Sequence, residues 1–192
     1  TILVLPPINK STATLAKSYY ATTISEPLTQ AGYYVLPYEV TTEVLKNEGL
    51  YNSEELTEIP LDSIGAFFGA DAVLYTTINE WDKNYIVISS NLTIDIDAVL
   101  KSTRTNEVIW DFHGKHVVDL SGGDTGNIFA NLILTALKTA TTDYVPHARE
   151  ASNRVMKVLP FGKYHKQFDK DQKEVVEGSS NKNKYTPTKN KK

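Results

Sequence analysis

Cysteine is absent from all 192 residues, and methionine occurs once. Disulfides, thiolate metal sites and thiol catalysis are therefore excluded within this stretch, while the compartment stays open. Long apolar runs are missing too. The richest, Ile128 to Leu137, falls short of the ~18 uncharged apolar residues that a spanning helix needs. No Gly-x-Ser-x-Gly elbow, His-Glu-x-x-His pair or Walker loop occurs, so the common hydrolase, zinc-protease and nucleotide signatures are all absent. What is present is a 41% hydrophobic and 22% charged composition, which suits a globular chain of about one domain with a real core.

Charge is unevenly distributed along the chain. Residues 1–150 carry nine lysines and arginines against nineteen acids, a net of −10; residues 151–192 carry eleven against four, a net of +7. An acidic body repels a polyanion, so no nucleic-acid partner is expected. The composition divides the chain into a domain over 1–160 and a basic tail over 161–192. The tail is rich in Lys, Asn and Ser and is expected to be largely extended or disordered.

Ile2 to Leu5 is apolar on both faces and reads as a central buried strand, halted by Pro6-Pro7. Ser11 or Thr12 can cap the helix that follows, and Pro27 must kink it or start a second helix after Ser25. Gly32 ends this helical stretch, and Tyr33 to Pro37 reads as the next strand, which makes a parallel strand-helix-strand unit. Short helices are expected over Thr42 to Lys46, Ser53 to Thr57 and Leu61 to Phe68. Ala72 to Trp81 is a third strand and Asp82-Lys83-Asn84 a turn. From Ile86 through Leu100 the even positions are mainly apolar and the odd ones polar, the clearest periodicity in the chain. A turn at Ser102 to Asn106 leads to a partner strand over Glu107 to Leu120. The loop Ser121 to Gly126 then opens an apolar-faced helix running to Tyr144, and a weaker helix follows from His147 to Lys157. This order predicts an α/β, three-layer fold: a mixed five-stranded sheet in which a β-α-β crossover is followed by small helices, an antiparallel meander and a C-terminal helix.

Candidate chemistry is sparse. Asp95 and Asp97 lie two apart on one strand, so their carboxylates share a face, and no third metal ligand is identifiable by spacing. His113 and His116 point to opposite faces of a regular strand. The loop around Gly122 and Gly123 can cradle an anion on backbone N–H groups, but Asp124 opposes phosphate there and fits a helix cap better. These observations give no catalytic residue, no cofactor and no metal. The surfaces left for contact are the loop with Pro6, Pro7 and Asn9, the polar face with Asn91, Thr93, Asp95 and Asp97, and the glycine loop with Gly122 and Gly123.

Several segments in order carry a resemblance: Leu5-Pro6-Pro7-Ile8-Asn9, Pro27-Leu28, Ala31 to Pro37, Gly69 to Tyr75, Trp81, and the late Leu159-Pro160-Phe161-Gly162. Over roughly residues 1–165 the chain resembles a family of Gram-negative lipoproteins of unknown function, domain-of-unknown-function family 799. It is also similar to the α/β domain shared by the TolB N-terminal part, the transport auxiliary lipoproteins and the curli-secretion lipoprotein. The resemblance implies a removed signal peptide and a lipid anchor upstream of Thr1, on the periplasmic side of the outer membrane. It also implies a non-enzymatic role in an envelope or secretion assembly, with another envelope protein as partner, possibly one of the curli-secretion type. The alternative is a periplasmic binder of a small ligand or peptidoglycan fragment, using the crevice near Asn9 and the glycine loop. The oligomeric state is not specified by any of these features.

Overall fold

In a computed structural model that describes residues 1–86, 89–119 and 145–170, a sheet runs in the order β1, β3, β4, β5. β1 (Ile2–Val4) is wholly buried and pairs in parallel with β3 (Ala72–Ile86), Leu3 facing Val73. Pro6 and Pro7 supply no N–H and break this ladder. It resumes beyond them in β2 (Ile8–Asn9), which pairs with Thr77 and Ile78 of β3 and is the fifth strand of the sheet. The expected strand over Tyr33 to Pro37 shrinks to one parallel bridge between Ile2 and Val35. Gly32 and Pro37 bracket too few residues to extend the ladder, and the chain turns directly into the next helix.

β3 is longer than expected. The predicted turn at Asp82-Lys83-Asn84 is strand instead, its residues paired with Thr93, Leu92 and Asn91 of β4 (Ser89–Ser102). Trp81 stands opposite Ile94, and burial of these two with Leu92 in the core carries the ladder past the local turn preference of Asp, Lys and Asn. β5 (Val108–Asp119) completes the meander through the predicted Ser102–Asn106 turn, where Asn106 takes a positive φ.

α1 (Ala16–Ala21) and α2 (Ser25–Gln30) are separate helices, and Pro27 stands in the first turn of α2, where its missing N–H costs nothing. Neither Ser11 nor Thr12 caps α1; the Ser11 hydroxyl accepts from Ala13 N–H at 3.3 Å, and the Thr12 hydroxyl bonds Asp82 at 2.5 Å. α3 (Tyr38–Asn47), a 3-10 turn (Glu55–Thr57) and α4 (Leu61–Phe68) follow, with Gly69 closing α4 at φ 66°. α5 (Val145–Met156) is the later helix. The helix expected over the stretch up to Tyr144, and the loop with Gly122 and Gly123, lie outside the described residues.

Two apolar layers sandwich the sheet. α1, α2 and α5 cover Leu74, Ile78, Trp81, Ile94, Ile96 and Leu100. On the opposite face α3, the 3-10 turn and α4 pack Leu45, Leu56, Leu61 and Ile64 on Leu3, Leu5 and Val73. Among the described residues, the second cover packs on the β1 side of the sheet. Past Met156 the chain returns to the end of α2: Gly162 N–H donates to Ala31, Tyr164 N–H to Gly32, and the Tyr33 hydroxyl to Pro160. The first ten residues of the predicted tail thus form turns fastened to the body, and 171–192 lie outside the described residues.

That return depends on two glycines. A Cβ on Gly32 would stand 2.4 Å from the backbone nitrogen of His165, and one on Gly162 would stand 2.5 Å from the Gly32 carbonyl oxygen. Gly32→Ala and Gly162→Ala should each destabilise by roughly 1–3 kcal/mol through overpacking against backbone. Gly49 has a similar φ of 84° but nothing within 4 Å. Gly49→Ala should cost only the left-handed backbone penalty of about 1–2 kcal/mol. Thermal melts of Gly32→Ala and Gly49→Ala, which share the positive φ, isolate the crowding: Gly32→Ala should melt lower, and equal midpoints would remove the close approach as the cause.

Candidate functional site

The exposed polar side chains converge on the half of the sheet beyond the reach of α3 and α4. A bulge between Ile78 and Glu80 sets them there. Ile78 and Trp81 both face the core under α1, α2 and α5, so the inserted residue leaves Asn79 and Glu80 on the opposite face. The antiparallel registers bring β4 and β5 to the same spot: Asp95 stands between Glu80 and Lys115, and Asp97 between Thr77 and His113.

Hydrogen bonds join these groups into one network. The Asn79 amide donates to Asp97 at 2.7 Å and to Asp95 at 3.4 Å. His113 Nδ1 bonds Asp97 Oδ1 closely and lies 4.0 Å from Asp95 Oδ1. Lys115 Nζ bonds Glu80 Oε2 at 2.5 Å. The side chains of His113, Lys115 and Asp97 are 50%, 53% and 40% exposed, whereas that of Asp95 is 17% exposed. The hydrogen bond that His113 makes to Asp97 favours its imidazolium and raises its pKa above 6.5; partial desolvation opposes this, and the charges of Asp97 and Asp95 add smaller raises. The Glu80 hydrogen bond likewise raises Lys115.

One ligand atom from each of Asp95, Asp97 and His113 falls within 4.8 Å of the others, so the trio can in principle hold a cation. In this arrangement the same atoms bond each other, and a cation would have to displace the His113–Asp97 contact. Five charged side chains meet here: His113–Asp97 and Lys115–Glu80 pair across strands, and Asp95, the least exposed of them, leaves the cluster with three acids against two bases.

The sequence-predicted residues divide sharply. Asp95 and Asp97 share a face, as their spacing requires. Thr93 lies on that face as well, but it is only 5% exposed. Asn91 pairs with Asn84 and Asp119, and its side chain lies outside the described residues, as do Gly122 and Gly123. Pro7 is buried and Pro6 half-buried. Asn9 is tied into its own turn: its Oδ1 accepts from Ser11 N–H at 3.1 Å and from the Ser11 hydroxyl at 2.7 Å, and its amide donates to Ala13 at 2.8 Å. Asn79, Glu80 and Lys115 were not picked out from sequence, and His113 was weighed there only alongside His116, not with Asp95 and Asp97. For His113 and Lys115 the register counted back from the Ser102–Asn106 turn could have found them. For Asn79 and Glu80 a bulge had to be known first.

His113 titration checks the network. The folded-state value exceeds the unfolded one, so the stability that protonated His113 contributes is complete below about pH 6.5 and fades as pH rises through the raised folded value. A histidine-resolved NMR titration should place His113 above 6.5, and Asp97→Asn should bring it back down. A midpoint indifferent to Asp97→Asn would exclude the pair in solution.

Comparison with known proteins places this sheet. Residues 1–163 match the family model described as "Putative lipoprotein GNA1162-like". The curated "Putative lipoprotein NMB1124/NMB1162" of Neisseria meningitidis serogroup B (strain ATCC BAA-335 / MC58) is 34% identical over 109 residues, 57% of this chain and 51% of that protein. The chain therefore spans about half the length of that relative. The crystal structure of lipoprotein GNA1162 from Neisseria meningitidis superposes with a TM-score of 0.61 at 28% identity, covering 71% of this chain and 94% of the other. The resemblance read from Leu5-Pro6-Pro7, Gly69 to Tyr75 and Leu159-Pro160 thus holds across nearly the whole described body, and the chain belongs to the GNA1162-like putative lipoprotein family.

Proposed function

We propose that this domain is a non-enzymatic component of the cell envelope, tethered by a lipid upstream of Thr1 on the periplasmic side of the outer membrane. In this reading it binds another envelope protein through the polar half of its sheet. The observation that carries the reading is the cross-strand network of Asn79, Glu80, Asp95, Asp97, His113 and Lys115. These side chains stand on paired strands of a sheet whose other face is sealed by a core, so they are held rigidly and yet half exposed. Rigid, charge-patterned surfaces give a protein partner orientation and selectivity. Both bases, His113 and Lys115, are taken up by acids of the same surface, which suits a fixed docking pattern better than a general acid or base poised for a substrate. Family membership supports the tether. The small-ligand alternative is weaker, because the polar atoms of Asn9 are used up within its own turn.

Asp95→Lys with Asp97→Lys should leave the fold intact while weakening the contact by about tenfold or more, as reversed charge at an interface does. A photo-crosslinking residue in place of Val117, which is 52% exposed, reports the contact in intact cells. A discrete adduct that disappears in the double reversal supports this surface. An adduct unaffected by the reversal moves the interface elsewhere. Incorporation of an alkyne fatty acid by the precursor in cells tests the tether separately.

A further inference from the structure

The start of the first strand and the returning C-terminal strap meet at one end of the molecule. Ile2 N–H donates to the Tyr34 carbonyl at 2.8 Å, and Gly32, two residues earlier, holds Tyr164 N–H at 3.0 Å. Phe161 stacks on His165 at 3.8 Å, and Gly162 N–H donates to Ala31 at 2.7 Å, so the strap is a built element of this end. Its outward side chains alternate cations with rings. Lys163, Lys166 and Lys170 are exposed, Tyr164 is 72% exposed and Phe168 44%, and Lys163 lies over the Tyr164 ring. Tyr34, beside the strap, is 56% exposed. Asp169 is the single acid in residues 161–170; Asp171, Glu174 and Glu177 follow in sequence against Lys173, and then Lys182, Lys184, Lys189, Lys191 and Lys192 with no acid among them, which leaves residues 161–192 net basic.

We propose that this end, the strap Phe161–Lys170 with Tyr34, is a membrane-facing surface that binds an anionic phospholipid bilayer. Amphipathic rings settle at the level of lipid headgroups, and lysines beside them are drawn to negative headgroup charge. The acidic body, −10 over residues 1–150, is repelled by the same surface, so the two charges act together to orient the domain with the strap inward. The assignment rests on the reading that a lipid precedes Thr1. An anchor leaving at that strand keeps the strap within reach of the headgroups, and a second weak contact beside a lipid chain strengthens and orients attachment.

The test uses the full 192-residue chain without any acyl group, sedimented with phosphatidylcholine vesicles with and without phosphatidylglycerol. Binding should require phosphatidylglycerol and fall as salt is raised. Lys163→Glu with Lys166→Glu should lower it roughly fivefold for each lysine lost. Tyr164→Ser with Phe168→Ser, both exposed side chains outside the core, should also lower it, and circular dichroism verifies that each variant is folded. Equal sedimentation with neutral vesicles overturns the proposal, as does absence of binding. It is equally overturned if only conversion of the five distal lysines to glutamine abolishes binding, or if peptidoglycan sacculi compete the chain off the vesicles. Because the tested chain carries no lipid, these outcomes leave the tether untouched; the tether fails only if the precursor takes up no fatty acid.

Discussion

The pairing of β3 on both of its edges is the constraint from which the rest of the structure follows. One edge holds β1 and then β2 in parallel, and the other holds β4 antiparallel along almost its whole length. Because side chains alternate across a strand, this one element assigns two chemistries to two faces. Leu74, Ile78 and Trp81 enter the larger core, while Val73 enters the smaller one. A one-residue slip against β4 would invert every pair on that side, so the buried set of Leu92, Ile94, Ile96, Ala98 and Leu100 locks the register.

The bulge at Asn79 is the local exception that makes the polar surface. It inserts one residue, restores the core alternation at Trp81, and brings an amide between two carboxylates that would otherwise face each other with little relief. Asp97 thereby meets donors from two strands, Asn79 of β3 and His113 of β5, while Asp95 takes the longer Asn79 contact and has Lys115, itself bonded to Glu80, beside it in register. Half-exposed pairs of this kind add little to stability, since water and salt screen them. Their consequence is geometric, because they fix where charge stands on the outside of a rigid sheet.

Among the described residues the two covers differ in extent, and the polar half of the sheet lies beyond α3 and α4. The strap after Met156 acts at the opposite corner, where two glycines let backbone approach backbone more closely than any Cβ would permit. A lipoprotein domain of this family thus has two separate outward features, a patterned charge network on the sheet and a lysine-aromatic strap beside the first strand.

Much of the architecture was legible from the sequence alone. The apolar run Ile2 to Leu5, the alternation across Leu92 to Leu100, the turn at Ser102–Asn106, the positive φ at Gly32 and the span Leu61–Phe68 are all local signals, written in periodicity, branching and turn chemistry. The carboxylate pair Asp95 and Asp97 was legible for the same reason. Only the tertiary structure decided that Tyr33 to Pro37 stops at a single bridge, that Asp82-Lys83-Asn84 is strand, and that β2 resumes the ladder past two prolines. The last two depend on the strands they pair with, β4 and β3, and the first on α3 starting directly after Pro37. The site was divided in the same way: residues on one strand declared their shared face, whereas Asn79, Glu80, His113 and Lys115 joined them through register and a bulge, which are properties of paired strands and not of any one segment.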